Sequence, residues 1–305
     1  NRMPEILAKN LEQEIFTENI LQEPWRVWHL LKNSDGENCF NNIKGCKFNI
    51  SSQQKVYIIG DSHIGPIMFD LKNRVVKKNY QFITFALSDC IYYPGFNLTL
   101  LKTQKVDEKC NDQYFQKLKE ILLKEKNSII IFSGRFPVYL SDYWFDNQEG
   151  GVEGDKWIKD FVSVGKYDII ESSFNNEVFE LSKNNKIILV YPIPEPGWDP
   201  NKKIFNQWIK QRFPKNINLV NVTSSFEVYK NRAKPSFELL DSIQGKNIYR
   251  VYPHTLFCNT VIKNRCVTHD DKNIFYADDN HPSLKGAEMI NDLIIKEIEK
   301  IELKS

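Results

Sequence analysis

The sequence predicts an α/β fold: a three-layer α/β/α sandwich around a parallel sheet of about five strands, of flavodoxin-like type. Two observations carry this. Short apolar runs alternate with longer amphipathic ones from residue 55 onward. The strand candidates are apolar throughout and are followed by helices, as expected of a parallel sheet covered on both faces.

The elements follow in order. Residues 1 to about 50 are polar and irregular, with one helix expected near "EPWRVWHLLKN" (23–33). They read as a lead-in segment or linker ahead of a domain at 51–305. Strands are expected at 55–60, 81–86, 128–133, 186–192 and 217–222. Helices are expected at 64–77, 109–126, 157–183, 202–212, 224–243 and 283–301. The last places Ile290, Leu293, Ile294, Ile298 and Ile301 on one stripe. The segment 134–157 is long, aromatic and glycine-containing, and reads as a functional loop leaving the third strand. In such sheets ligands bind beyond the carboxyl ends of the strands. "GDS" (60–62) ends the first strand, where a reactive residue would stand.

Composition narrows the function classes. A net charge of +2 argues against a dedicated nucleic-acid binder. No apolar stretch approaches the ~18 residues of a membrane helix. The first residues lack a signal-peptide core. Asn1 is not an initiator Met, so a processed product or a piece of a longer protein is expected. The six cysteines fall into close pairs, Cys39 with Cys46, Cys90 with Cys110, and Cys258 with Cys266. An even count with local pairing points to disulfides and an oxidising compartment; six buried thiols are the alternative. Cys258, Cys266 and His269 fit no usual zinc spacing, so no metal site is expected.

Two short motifs carry candidate chemistry. Ser62 at a strand-to-helix turn has its own N–H in the positive end of the next helix, which can stabilise an oxyanion. From this stretch alone a plain helix cap is the reading that comes first. Near the other end, "FYADDNHPSLKGA" sets Asp278 and His281 three apart on a polar loop before the final helix. A serine nucleophile needs a base, and the base needs a carboxylate to fix its tautomer. The bland alternative is a surface turn, since Asp and Asn favour turns.

Together, "GDS" after the first strand and "DxxH" before the last helix resemble the SGNH (GDSL-type) hydrolase family. "IIGDSHIGPI", "DCIYYPG", "IIIFSGRFPVY", "VYPIPEPGWDP" and "CNTVIKNRC" look like its subgroup fused behind the membrane domain of acyltransferase family 3. The resemblance implies an extracytoplasmic, membrane-tethered enzyme that acylates, most often acetylates, glycans. It also supports the three disulfides. It implies Ser62 as nucleophile, His281 as general base and acid, and Asp278 as the orienting carboxylate. Asp61 is expected to hydrogen-bond within the turn, and His63 to give packing or supporting contacts.

For the oxyanion hole the family adds a Gly backbone N–H and an Asn side chain. Here Asp89 stands near the Gly position and Arg135 near the Asn position, so the candidates are Ser62, Asp89 and Arg135. Three roles are open for Arg135: oxyanion donor, grip on an anionic group, or holding the loop. Tyr139, Tyr143 and Trp144 are candidate sugar platforms, with loop anchoring as the alternative.

The expected function is serine-dependent acyl transfer, with acetyl as the expected acyl group, to a glycan hydroxyl. An upstream membrane domain would supply the acyl donor, and no metal or organic cofactor is called for. A carbohydrate esterase using water, and a catalytically weak glycan-binding module, are the alternatives.

Overall fold

The computed structural model describes residues 27–141, 145–153, 159–210 and 222–304. Its centre is a six-stranded sheet. In chain order the strands are β1 (Cys46–Phe48), β2 (Lys55–Gly60), β3 (Gln81–Ala86), β6 (Ile129–Phe132), β10 (Lys186–Val190) and β12 (Ile248–Val251). Across the sheet they run β1-β3-β2-β6-β10-β12. Five pair in parallel, and β1 closes one edge antiparallel to β3. Smaller strands lie outside: β4 (Phe96–Leu100), β5 (Lys105–Val106) and β9 (Lys159–Ser163) form one sheet. The hairpin β7 (Phe145–Asp146) with β8 (Val152–Glu153), and the pair β11 (Thr223–Ser225) with β13 (Arg265–Val267), complete the set.

Alternate residues of each central strand enter opposite layers. Val56 and Ile58 face one core, and Tyr57 and Ile59 the other. The first core is covered by α1 (Ile64–Lys77) and the C-terminal α8 (Leu284–Glu302); the second by α2 (Asp112–Leu123) and α4 (Ile170–Ser182). Ile290, Ile294, Ile298 and Ile301 of α8 are buried as one stripe, with Leu293 at its margin. Each such side chain contributes about 1.5–3 kcal/mol on burial, more than helix propensity can supply. The remaining helices are α3 (Phe136–Leu140), α5 (Pro200–Lys210), α6 (Phe226–Ser242) and α7 (His254–Phe257).

Several expectations change. The lead-in is not detached: Leu31, Cys39, Phe40 and Cys46 are buried in the first core, and β1 belongs to the sheet. The helix expected over 157–183 begins at Ile170, because 159–163 pair with β4. The fifth parallel strand is β12, a short run with Arg250 in it; most of the strand expected at 217–222 lies outside the described residues. The cysteines are joined as Cys39–Cys46, Cys90–Cys110 and Cys258–Cys266. No helix among the described residues is long and apolar enough to cross a membrane.

Candidate active site

The carboxyl ends of β2, β3 and β6 meet at one edge of the sheet. Gly60 stands opposite Ala86, and Ser133 N–H donates to the Ile59 carbonyl. A Cβ at Gly60 would lie 1.8 Å from the Ser133 carbonyl oxygen, so only glycine lets β2 run this close to the loop after β6. The chain then turns through Asp61, Ser62 and His63 into α1. Ser62 is not a cap: α1 has no side-chain cap, and Ser62 Oγ lies 2.9 Å from His281 Nε2 instead.

His281 sits on the loop before α8. Gly286 opens that helix against the Phe275 carbonyl, 2.1 Å from where a Cβ would be. Ser283 caps it by accepting the Gly286 N–H at 3.1 Å. Asp278 holds the loop with Oδ1, which accepts the N–H of Asn280 at 3.0 Å and of His281 at 2.7 Å. Its other oxygen, Oδ2, accepts from His281 Nδ1 at 2.8 Å. A carboxylate only accepts, so Nδ1 carries the proton and Nε2 is left to accept from the Ser62 hydroxyl. Burial pushes the Asp278 carboxyl up, but the His281 ring and the two backbone N–H groups outweigh it and hold it at about 2. The three side chains thus form one hydrogen-bonded chain able to draw a proton from Ser62 and steady the resulting imidazolium.

Around it, Asp61 is fully buried and accepts from His63 N–H at 2.9 Å, Arg135 N–H at 2.8 Å and Tyr139 hydroxyl at 3.0 Å. Burial raises its carboxyl to about 6 despite these donors. His63 bridges the two halves of the site. Asn280 gives its amide N–H to Asp279, so its Oδ1 accepts from His63 Nε2 at 3.0 Å. The His63 ring packs against His281, with centroids 5.0 Å apart. Burial first, then the charges of His281 and Arg135, lower His63 to about 3, so it stays neutral. Sequence reasoning gave His63 only a general supporting role; its Asn280 partner sits inside the very motif that was read for Asp and His.

The oxyanion candidates separate. Asp89 has φ +56°, the left-handed region that favours glycine, at the place where the family has Gly. It lies three residues past Ala86, at the same sheet edge as Ser62. Among the described residues neither the Ser62 nor the Asp89 backbone N–H has a hydrogen-bond acceptor. Arg135, expected as a possible oxyanion donor, is otherwise engaged. Its guanidinium reaches Glu153 at 2.8 and 2.7 Å and Glu195 at 3.1 and 2.8 Å. Four of its five N–H groups are therefore committed to two carboxylates. Arg232 joins the cluster at 3.3 Å from Glu195. Two arginines and two glutamates balance there, and the arginine charges hold the buried Glu195 carboxyl far below its usual range. The guanidinium ties the start of α3 to β8 and to the loop after β10. Glu153, Glu195 and Arg232 were not read from the sequence; the lone acid in the Pro-rich "PIPEPG" was the available signal.

Tyr139 is also corrected: it is buried, with its hydroxyl on Asp61, so its ring is no sugar platform. Tyr143 and Trp144 lie outside the described residues. Among the described residues no three His, Cys, Asp or Glu side chains gather as a metal site.

A doubly covered parallel sheet with a hydrogen-bonded Ser-His-Asp chain at its carboxyl edge defines an enzyme of the serine hydrolase and acyltransferase class. The profile of the family described as "SGNH domain (fused to AT3 domains)" matches residues 31–296, and the chain belongs to that family. Among solved structures it is similar to the periplasmic domain of a lipopolysaccharide acetyltransferase from Salmonella ser. Paratyphi A. That match has 14% identity and a TM-score of 0.49, covering 82% of this chain and 87% of the other. It is also similar to a member of the lipolytic protein G-D-S-L family from Veillonella parvula, at 9% identity and TM-score 0.39, covering 80% and 97%. No curated protein matches the chain. Three disulfides fit an extracytoplasmic protein.

Proposed function

We propose that this domain is an O-acyltransferase, acetyl being the expected group, that moves an acyl unit to a glycan hydroxyl through an acyl-enzyme on Ser62. The observation that carries it is the continuous hydrogen-bonded chain Ser62–His281–Asp278. Ser62 Oγ attacks the acyl carbonyl carbon while its proton passes to His281 Nε2. Asp278 keeps the imidazole in the required tautomer and stabilises it when charged. The oxyanion is met by the Ser62 N–H at the start of α1, with Asp89 N–H as the second donor. Collapse expels the donor's leaving group, which takes the proton from His281. In the second half His281 removes a proton from the sugar hydroxyl, whose oxygen attacks the acyl-enzyme; the acyl–Oγ bond breaks and Ser62 Oγ takes the proton back from His281. With water in that place the same residues run an esterase.

The family's fusion to AT3 domains supports an acyl donor delivered from a membrane domain of the same protein, and a membrane-tethered, extracytoplasmic setting. The test is direct. The isolated domain should hydrolyse a small acetyl ester slowly and should transfer acetyl to an acceptor oligosaccharide when one is added. A domain with neither activity, while carrying an intact fold, would sink the reading.

A further inference from the structure

A cleft of about 360 Å³ opens between α5, the turn of the β7–β8 hairpin and the β11–β13 pair. Its walls are Glu149, Lys203, Gln207, Val222, Thr223 and Arg265. The chain entering α5 is tied to the loop that carries Asp278 and His281. Gly197 N–H donates to the Asp279 carbonyl at 3.0 Å, and Asn201 donates to the Tyr276 carbonyl at 3.1 Å. Lys203 stands two residues further along α5.

The charges in the cleft do not cancel. Glu149 is neutralised by Arg265, which forks onto both its oxygens. Arg265 is further tied to Thr223, through Nε to Oγ1 at 2.9 Å and through Nη2 to the carbonyl at 2.6 Å. That leaves Lys203. Its ammonium has no carboxylate within 4.0 Å among the described residues and rests 3.8 Å over the Trp198 ring. Partial burial lowers its pKa, with the Glu149 charge acting against the shift and Arg265 with it. One helical turn on, on the same face, the Gln207 amide makes no hydrogen bond among the described residues. A cation with no carboxylate partner and a free amide in one open cleft suit a sugar that carries an acid. The ammonium would take the anion, and the amide a neighbouring hydroxyl.

We propose that this cleft is an acceptor subsite for an anionic sugar, one bearing a carboxylate or a phosphate, with Lys203 as its counter-charge. The proposal rests on the acyl-transfer reading and deepens it by naming the class of acceptor. It accounts for two otherwise unexplained features: a partly buried lysine with no carboxylate partner, and a hairpin pinned at Glu149 beside this cleft as well as at Glu153 by Arg135.

The test is a titration of the ¹⁵N-labelled chain with glucuronic acid, glucose 6-phosphate, glucose and inorganic phosphate at low ionic strength. Saturable amide shifts at Lys203, Gln207 and Arg265 are expected with one or both acidic sugars, and the tighter of the two identifies the anion. Glucose and inorganic phosphate should bind at least several-fold more weakly. Lys203→Gln should weaken acidic-sugar binding about ten-fold or more, the loss expected for a charged hydrogen bond, and Lys203→Arg should restore most of it. Ser62→Ala should bind as wild type. Glucose binding as well as glucuronic acid, inorganic phosphate binding as well as the sugar phosphate, no saturable shift, or a normally folded Lys203→Gln that binds like wild type would each overturn the subsite. Labelling of Ser62 by a fluorophosphonate on the same samples reports the acyl-transfer reading separately. Failed labelling with intact sugar binding would sink that reading and leave the subsite standing.

Discussion

Ser62, His281 and Asp278 form one hydrogen-bonded chain, and under the proposed mechanism their variants should fail together. Ser62→Ala and His281→Ala are each expected to remove nearly all acetyl-ester hydrolysis without unfolding the protein. Asp278→Asn should cost on the order of ten-thousand-fold in turnover, because the amide favours the wrong imidazole tautomer. Steady-state rates alongside thermal melts check this. His63 supplies a pH test. Its folded pKa of about 3 lies below its ordinary 6.5, so the unfolded chain binds more protons between those values. Its contribution to stability is therefore present above about pH 6.5 and is lost as pH falls toward 3. Asp61 works in the opposite sense: its folded value, near 6, exceeds 3.8, so its contribution is present at acid pH and fades as pH rises through 6. The two nearly cancel between pH 4 and 6. His63→Gln, which can keep a donor toward Asn280, should expose the Asp61 slope, and its stability should fall as pH rises there. The limit is about 1.4 kcal/mol per pH unit. Denaturant titrations at pH 4, 5 and 6 measure it; a variant as flat as wild type would contradict the assignment. At this scale the hydrogen-bonded chain proposed to react was legible in two short motifs, because the Asp278–His281 spacing is local and chemically specific. Arg135 and Tyr139 were not, because their roles depend on Glu153, Glu195 and Asp61, which the chain brings from elsewhere.

The loops at the sheet edge are held by a buried, charge-balanced cluster. Side-chain exposure is 13% at Arg135 and 3% at Glu195. Removing one member leaves an uncompensated charge, so Glu195→Gln should destabilise by about 3–5 kcal/mol and lower turnover on small esters and polymers alike. A chemical-denaturation curve and rates on both substrates test this; loss on the polymer alone would instead show Arg135 gripping substrate. The disulfides give a second contrast. Cys39–Cys46 and Cys258–Cys266 close loops with separations of 7 and 8, so chain entropy predicts similar stabilisation, about 2–3 kcal/mol each. Only the second has a cysteine, Cys266, within β13, the last strand before the Asp278–His281 loop. Serine pairs at 258/266 should therefore lower turnover more than pairs at 39/46 for a similar loss of stability. Elements with strong periodicity, such as 55–60, 64–77 and 81–86, were legible to the residue. The strand at 159–163 was missed because its partner, β4, is some sixty residues away and its alternation is broken by lysine and aspartate.

For the whole molecule, the fold class was legible because four central strands, β2, β3, β6 and β10, are mostly apolar and almost wholly buried. The edge was not. A three-residue strand, CKF, carries no periodic signal, and its place beside β3 is a tertiary fact. A chain cut to residues 51–305 should therefore be poorly folded, since it loses Leu31, Cys39, Phe40 and Cys46 from the first core. Circular dichroism and melting of that truncation against the full chain decide it; an equally stable short form would return 1–50 to the status of a lead-in. The account's central claim is that Ser62 carries the acyl group. The most direct measurement is intact-mass and peptide analysis after brief mixing with an activated acetyl ester, on wild type and on Ser62→Ala. The account predicts one added acetyl group on Ser62 in the wild type and none in the variant. Acetyl ester turnover with no adduct on Ser62, or unchanged turnover in Ser62→Ala, would contradict it.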